Sequence, residues 1–119
     1  MPKFLTIQKL VIRQFSVSSF AAMLKPSVPF DGTSHKRWRS KMILWLTAMH
    51  CFHVVKGKPE QYTPEQEMQF EIADNLFRDA VISILADKYV DSYLSFKTGN
   101  ALWDALEKKF VVFDADSEL

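Results

Sequence analysis

The apolar positions of the chain recur at helical spacing rather than in alternation. Trp38, Met42, Trp45, Met49 and Phe52 follow one another at steps of four, three, four and three, with Leu46 beside them. That spacing puts them along one stripe of a helix, which must be its buried face. Lys36, Arg37 and Lys41 fall mostly on the opposite side and are expected in solvent. Gly57 and Pro59 then turn the chain into a loop. A second helix carries its own start signal: Thr63 as N-cap, Pro64 at the first helical position, Gln66 to complete a capping box, and Glu65 and Glu67 facing the positive end of the dipole. Phe70, Ala73, Phe77, Ala80 and Ile84 follow at three-four spacing, widened by Leu76, Val81 and Leu85, so this helix is expected at the centre of the core. The phase is lost around Ala86 to Tyr89, and Val90, Tyr93, Leu94 and Phe96 suggest a shorter helical piece. Thr98 can cap a last helix whose apolar edge is Leu102, Trp103, Leu106 and Phe110, with Lys108 and Lys109 complementing the dipole at its C-terminal end. Strand alternation is confined to Val111-Val112-Phe113, too short to seed a sheet. The expected fold class is all-α, a small helical bundle.

The first 24 residues read differently. They hold three basic residues and no acid, and the series Phe4, Leu5, Ile7, Leu10, Val11, Ile12, Phe15 would make a broad apolar helix face. This is the composition of a mitochondrial transit peptide, and Arg13-Gln14-Phe15-Ser16 resembles some processing sites. Two prolines in Lys25-Pro26-Ser27-Val28-Pro29 argue for an extended connector. The expected division is therefore a flexible leader and connector over 1–28, a helical domain over 29–113 and a short tail over 114–119. Within the domain, Phe30-Asp31-Gly32-Thr33 is a turn signature, with Thr33 or Ser34 placed to cap the first helix.

Composition narrows the function classes without choosing one. A chain of 119 residues with 48% hydrophobic residues is long enough for one modest core but not for a two-domain enzyme with its own cofactor fold. The stretch without charge from Gln14 to Leu24 is 11 residues, against roughly 20 needed to span a bilayer, so no membrane helix is expected. A single cysteine, Cys51, excludes an internal disulfide framework and a multi-cysteine zinc site. His50, Cys51 and His53 cluster in sequence, but a helical reading joins the two histidines and turns the cysteine away, so no metal is expected. A Cys-His nucleophile would lack an orienting partner, and no catalytic residues, cofactor or small-molecule substrate are expected. Net charge is lopsided: residues 1–58 hold ten basic residues against one acid, a net +9, and residues 59–119 hold five against thirteen, a net −8. Such asymmetry suits a nucleic-acid-facing end or complementary surfaces that pair within or between chains.

One order of motifs is more specific. Phe30-Asp31-Gly32-Thr33, Lys36-Arg37-Trp38, Lys41-Met42 with Leu44-Trp45-Leu46-Thr47, and then Lys97-Thr98 leading into Leu102-Trp103-Asp104-Ala105-Leu106-Glu107-Lys108-Lys109-Phe110 resemble the N-terminal Gag region of copia-type LTR retrotransposons of plants. The resemblance covers about residues 29–117, and Gly99-Asn100 and Asp116 depart from it. It implies a truncated capsid-like domain, since the chain stops at Leu119 where such proteins continue into further helices and a zinc knuckle. Its motif and core residues would be Phe30, Asp31, Gly32, Trp38, Met42, Trp45, Leu46, Trp103, Leu106 and Phe110. The implied role is a non-enzymatic, cytoplasmic structural protein that self-associates into particles, a homo-oligomer packaging element RNA. Lys36, Arg37, Arg39 and Lys41 are the candidates for weak contact with RNA phosphates. The other readings are a helical protein imported into mitochondria, a small RNA-binding module, and an element remnant without function. Apolar surface on the second and last helices is expected to remain exposed.

Overall fold

The computed structural model describes residues 20–117, with side chains through Phe110. The expected leader as far as residue 19 and the last two residues of the expected tail lie outside the described residues. Helices α1 (His35–Ala48), α2 (Pro64–Ile84), α3 (Asp87–Tyr93) and α4 (Gly99–Ser117), with a 3-10 turn at Phe52–Lys56, make an all-α bundle in which no strand occurs among the described residues. Val111-Val112-Phe113 is helical, and α4 continues through most of the expected tail.

Helix α1 buries Trp38, Met42, Trp45 and Leu46 as its spacing requires, and His35 with them. It begins without the expected cap. Ser34 sits in the left-handed region at φ 52° and makes no side-chain cap bond. Thr33 is turned away instead, its N–H and its hydroxyl both donating to Asp31 Oδ1 at 2.9 and 2.6 Å. No acid occupies the first turn, so packing rather than capping holds this helix end. The helix stops at Ala48 and His50 reverses the chain at φ 58°, so Met49 and Phe52 are half-buried beyond the helix rather than on its stripe.

Helix α2 starts as its sequence dictates: Gln66 N–H donates to Thr63 Oγ1 at 3.1 Å, and Thr63 N–H donates to Gln66 Oε1 at 2.9 Å. It buries Phe77, Ala80, Val81 and Ile84, whereas Leu76 is exposed. The loss of phase after Ile84 has a tertiary cause. Leu85 and Ala86 are extended, and Phe30 lies alongside them in an isolated parallel bridge. Phe30 N–H donates to Ile84 O at 2.7 Å and Ala86 N–H donates to Phe30 O at 2.8 Å.

Thr98 caps α4 by accepting from Ala101 N–H at 3.1 Å. Because α4 runs on to Ser117, Lys108 and Lys109 lie mid-helix rather than at its C-terminal end. Lys108 pairs with Asp104 at 2.9 Å, and Lys109 lies 5.1 Å over the Tyr89 ring. Gly99 is placed by contact: a Cβ there would come within 2.7 Å of Phe77 Cδ1 and 2.9 Å of Val54 Cγ2.

The connector does not isolate everything before it. Residues 20–24 are helical, Ala21 is buried in the core, Leu24 packs against it, and Lys25 Nζ lies 6.0 Å over the Trp45 ring. The packed unit therefore begins before Pro29, because a small side chain at residue 21 lets this segment approach closely.

The centre of the bundle is aromatic. Phe30 stacks on Trp38 at 4.3 Å and meets Phe110 edge-on at 4.8 Å. Trp103 lies 6.0 Å from Trp38, 5.8 Å from Phe77 and 5.6 Å from Phe52. Aromatic contacts of this kind add about 0.5–1.5 kcal/mol each beyond area burial. Truncating Trp38 or Trp103 to alanine should cost about 3–5 kcal/mol, a large part of the roughly 5–15 kcal/mol that stabilises a domain. Denaturant unfolding checks this, and an unchanged midpoint in either variant would contradict the packing. Gly99→Ala should cost about 1–3 kcal/mol by overpacking against Phe77 and Val54, measured the same way.

Candidate assembly and nucleic-acid interface

The four cations expected to touch RNA do not form one patch. Lys36, Arg37 and Lys41 are exposed on α1, but Arg39 is half-buried and turns to α4, its Nε donating to Glu107 Oε1 at 2.6 Å. His35 Nε2 lies 4.0 Å from the same carboxylate oxygen. Arg39 neighbours Trp38 on the helix, at the edge of the buried face, so its guanidinium reaches the facing helix while staying partly in solvent. A partly exposed pair of this kind contributes about 1 kcal/mol at most. Arg37 and Lys41 flank an open groove of about 240 Å³ between α1 and the segment Pro26–Ser34. Trp38 also lines it, and the buried Trp38 Nε1–H has no hydrogen-bond partner among the described residues.

The motif residues are brought together, and inward. Phe30, Gly32, Trp38, Met42, Trp45, Leu46, Trp103, Leu106 and Phe110 are buried, and Asp31 is exposed. Asp31 works locally: the hydrogen bonds from the Thr33 hydroxyl and N–H lower its carboxyl pKa. Gly32 is required twice over, by φ 96° and by the Tyr89 hydroxyl, which a Cβ would approach to 2.5 Å. That hydroxyl donates to Asp31 O at 3.3 Å.

His50, Cys51 and His53 diverge. Cys51 points into the core, its thiol 3.6 Å from Leu46 O, while His50 and His53 are exposed and His53 meets the Phe70 ring at 6.3 Å. No group of three or more His, Cys, Asp or Glu side chains able to hold a metal ion occurs among the described residues. Among the described residues no helix is long and apolar enough to cross a membrane.

Two buried polar residues matter that the apolar pattern does not include. Asp74 accepts the Gly99 N–H at 2.8 Å and lies 3.4 Å from Arg78 Nε, so a carboxylate of α2 satisfies the N-terminus of α4 across the core. His35 packs between aromatic rings, 5.8 Å from Phe30 and 5.9 Å from Phe110. It continues the α1 stripe backward, three residues before Trp38, and that step is the signal in the sequence that marks it.

Helix α2 presents a second, outward set of residues. Met68 and Ile72 are 64% and 62% exposed and Leu76 is 42% exposed, which makes an apolar row on the side away from the core. The expectation of exposed apolar surface thus holds for the second helix. On the last helix, no large hydrophobic residue with a described side chain is exposed.

Burial pushes the Cys51 thiol up to about 12. The native thiol should therefore resist a thiol reagent at pH 8 and react at the rate of global unfolding. Because the unfolded thiol ionises from about pH 9, the proton held by the native state favours folding fully below that pH. That contribution is lost as pH rises from about 9 toward 12, with a slope of at most about 1.4 kcal/mol per unit. Fast labelling of folded protein, or stability that rises over that range, would contradict the burial.

Compared with known proteins, the chain matches no family model, no curated protein and no solved structure, so the functional reading rests on its own residues and geometry.

Proposed function

We propose that the chain is a copia-type Gag-like structural protein, acting by self-association into capsid-like particles and not by catalysis. The observation that carries this reading is the convergence of the motif blocks. Phe30, Trp38, Trp103 and Phe110, spread over 81 positions of the sequence, meet in one aromatic cluster. Residues used in this way specify a shape rather than a reactive centre, and what they leave outside is surface. That surface carries opposite charge on different helices, which favours contact between copies.

RNA contact is the second reading, favoured by the exposure of Lys36, Arg37 and Lys41. With Arg39 engaged by Glu107 the phosphate-binding set loses a member, and so few cations without a base-reading element give weak, strongly salt-dependent affinity.

Light scattering over a concentration series tests self-association. Mean mass should rise with concentration in the tens of micromolar range at about 0.05 M salt, and fall at about 0.5 M, where the Debye length shrinks from roughly 14 to 4 Å. A monodisperse monomer under both conditions would overturn the proposal, and association that strengthens with salt would assign it to apolar contact instead of charge.

A further inference from the structure

Two exposed helix faces that take no part in the core have opposite chemistry. On α2, Glu65, Met68, Ile72, Leu76 and Asp79 recur at steps of three, four, four and three, so they share one face, with Glu71 at its edge. All six are exposed. The one cation within α2, Arg78, is engaged by Asp74 and Asn75. On α1, Arg37, Lys41 and Leu44 recur at steps of four and three and are likewise exposed, Leu44 by 60%. No acid occurs anywhere in His35–Ala48. One face is therefore an apolar row flanked by carboxylates, and the other is an apolar residue flanked by cations.

We propose that the outer face of α2 in one copy docks on the outer face of α1 in a second copy. Leu44 would seat on the Met68–Ile72–Leu76 row, and Arg37 and Lys41 would lie among Glu65, Glu71 and Asp79. The occupant is fixed by charge complementarity. A symmetric contact of α2 with α2 sets carboxylates against carboxylates, and α1 with α1 sets cations against cations, so each face selects the other. A contact between unlike faces is head-to-tail, and it grows into a ring or an open chain instead of stopping at two copies. A helix laid on a helix covers less than the roughly 800 Å² per partner of a standard stable interface, so each contact is weak and assembly depends on concentration. This inference rests on the self-association reading and assigns it a surface.

Charge exchange tests it. One variant carries Arg37→Glu and Lys41→Glu, and the other carries Glu71→Lys and Asp79→Lys. All four sites are exposed, and none touches the capping box of α2. With far-ultraviolet circular dichroism to verify folding, sedimentation velocity should show at least a fivefold loss of associated species for each variant alone. The equimolar mixture should recover association, because each variant then meets a face of opposite charge. Leu44→Ser and Ile72→Ser, which change no charge, should each weaken association alone. Their mixture should recover association only as far as pairs, because one intact α1 face and one intact α2 face remain; they serve if a charge variant does not fold.

Variants that associate alone like the wild type, or folded variants that stay monomeric when mixed, would overturn the assigned surface while leaving self-association standing. A wild type that never associates would overturn both. Association of the wild type that disappears on nuclease treatment would give the α1 face to RNA and overturn the docking proposal.

Discussion

Phe30 is held from two directions, and the rest of the bundle depends on both. Its backbone N–H and C=O bond to Ile84 and Ala86, on either side of the residue it bridges. Its ring lies against Trp38 of α1 and Phe110 of α4. A buried extended residue must pair its backbone groups somewhere, and here the break between α2 and α3 supplies the partners. The same break would leave its own carbonyl and amide unpaired without Phe30. The bridge thus fixes where α2 ends, and the ring fixes how α1 and α4 approach. Gly32, two residues on, lets the chain turn beneath the Tyr89 hydroxyl and enter α1.

Opposite this interior lies a surface in which charge is sorted between α1 and α2. Outward-facing α1 residues are basic, and outward-facing α2 residues are acidic around an apolar row. Acids and bases also meet within the chain, at Arg39 and Glu107 beside the core and at the exposed pairs Lys58–Glu67 and Lys108–Asp104. The solvent-facing excess has no structural task in the fold, since exposed charge contributes little to stability. A surface sorted in this way bears on encounter and association, which is why the functional proposals concern contact between copies.

Features set by neighbours along the chain are legible in the sequence itself. The Thr63–Gln66 capping box, the Thr98 cap and the stripes of Trp38 to Leu46 and Leu102 to Phe110 depend on spacing within one helix. Features set by distant residues are not. The break at Leu85–Ala86 shows in the sequence only as fading periodicity, because its cause, Phe30, lies 55 residues from Leu85. Gly99 departs from helix-former chemistry because Phe77 and Val54 leave no room for a Cβ, and Asp74 is buried because the Gly99 N–H faces it. In sequence Arg39 is one member of a basic cluster, and only the position of α4 gives it to Glu107. Two prolines place the domain start near Pro29, whereas the packing of Ala21 depends on the surface of the bundle beneath it. Among the candidate interface residues, Met68 and Ile72 stand outside the core stripe in sequence. Leu76 falls within that stripe on spacing alone, because a broad apolar sector does not say where burial ends.

The central claim is that the Phe30 bridge belongs to the cooperative core and is not a loop resting on it. Native-state amide hydrogen exchange reads this directly at two protons, Phe30 N–H and Ala86 N–H. The account predicts that both exchange only through global unfolding, at the same free energy as the central amides of α2 and α4. Exchange of these two amides at loop-like rates, while those helices stay protected, would contradict it.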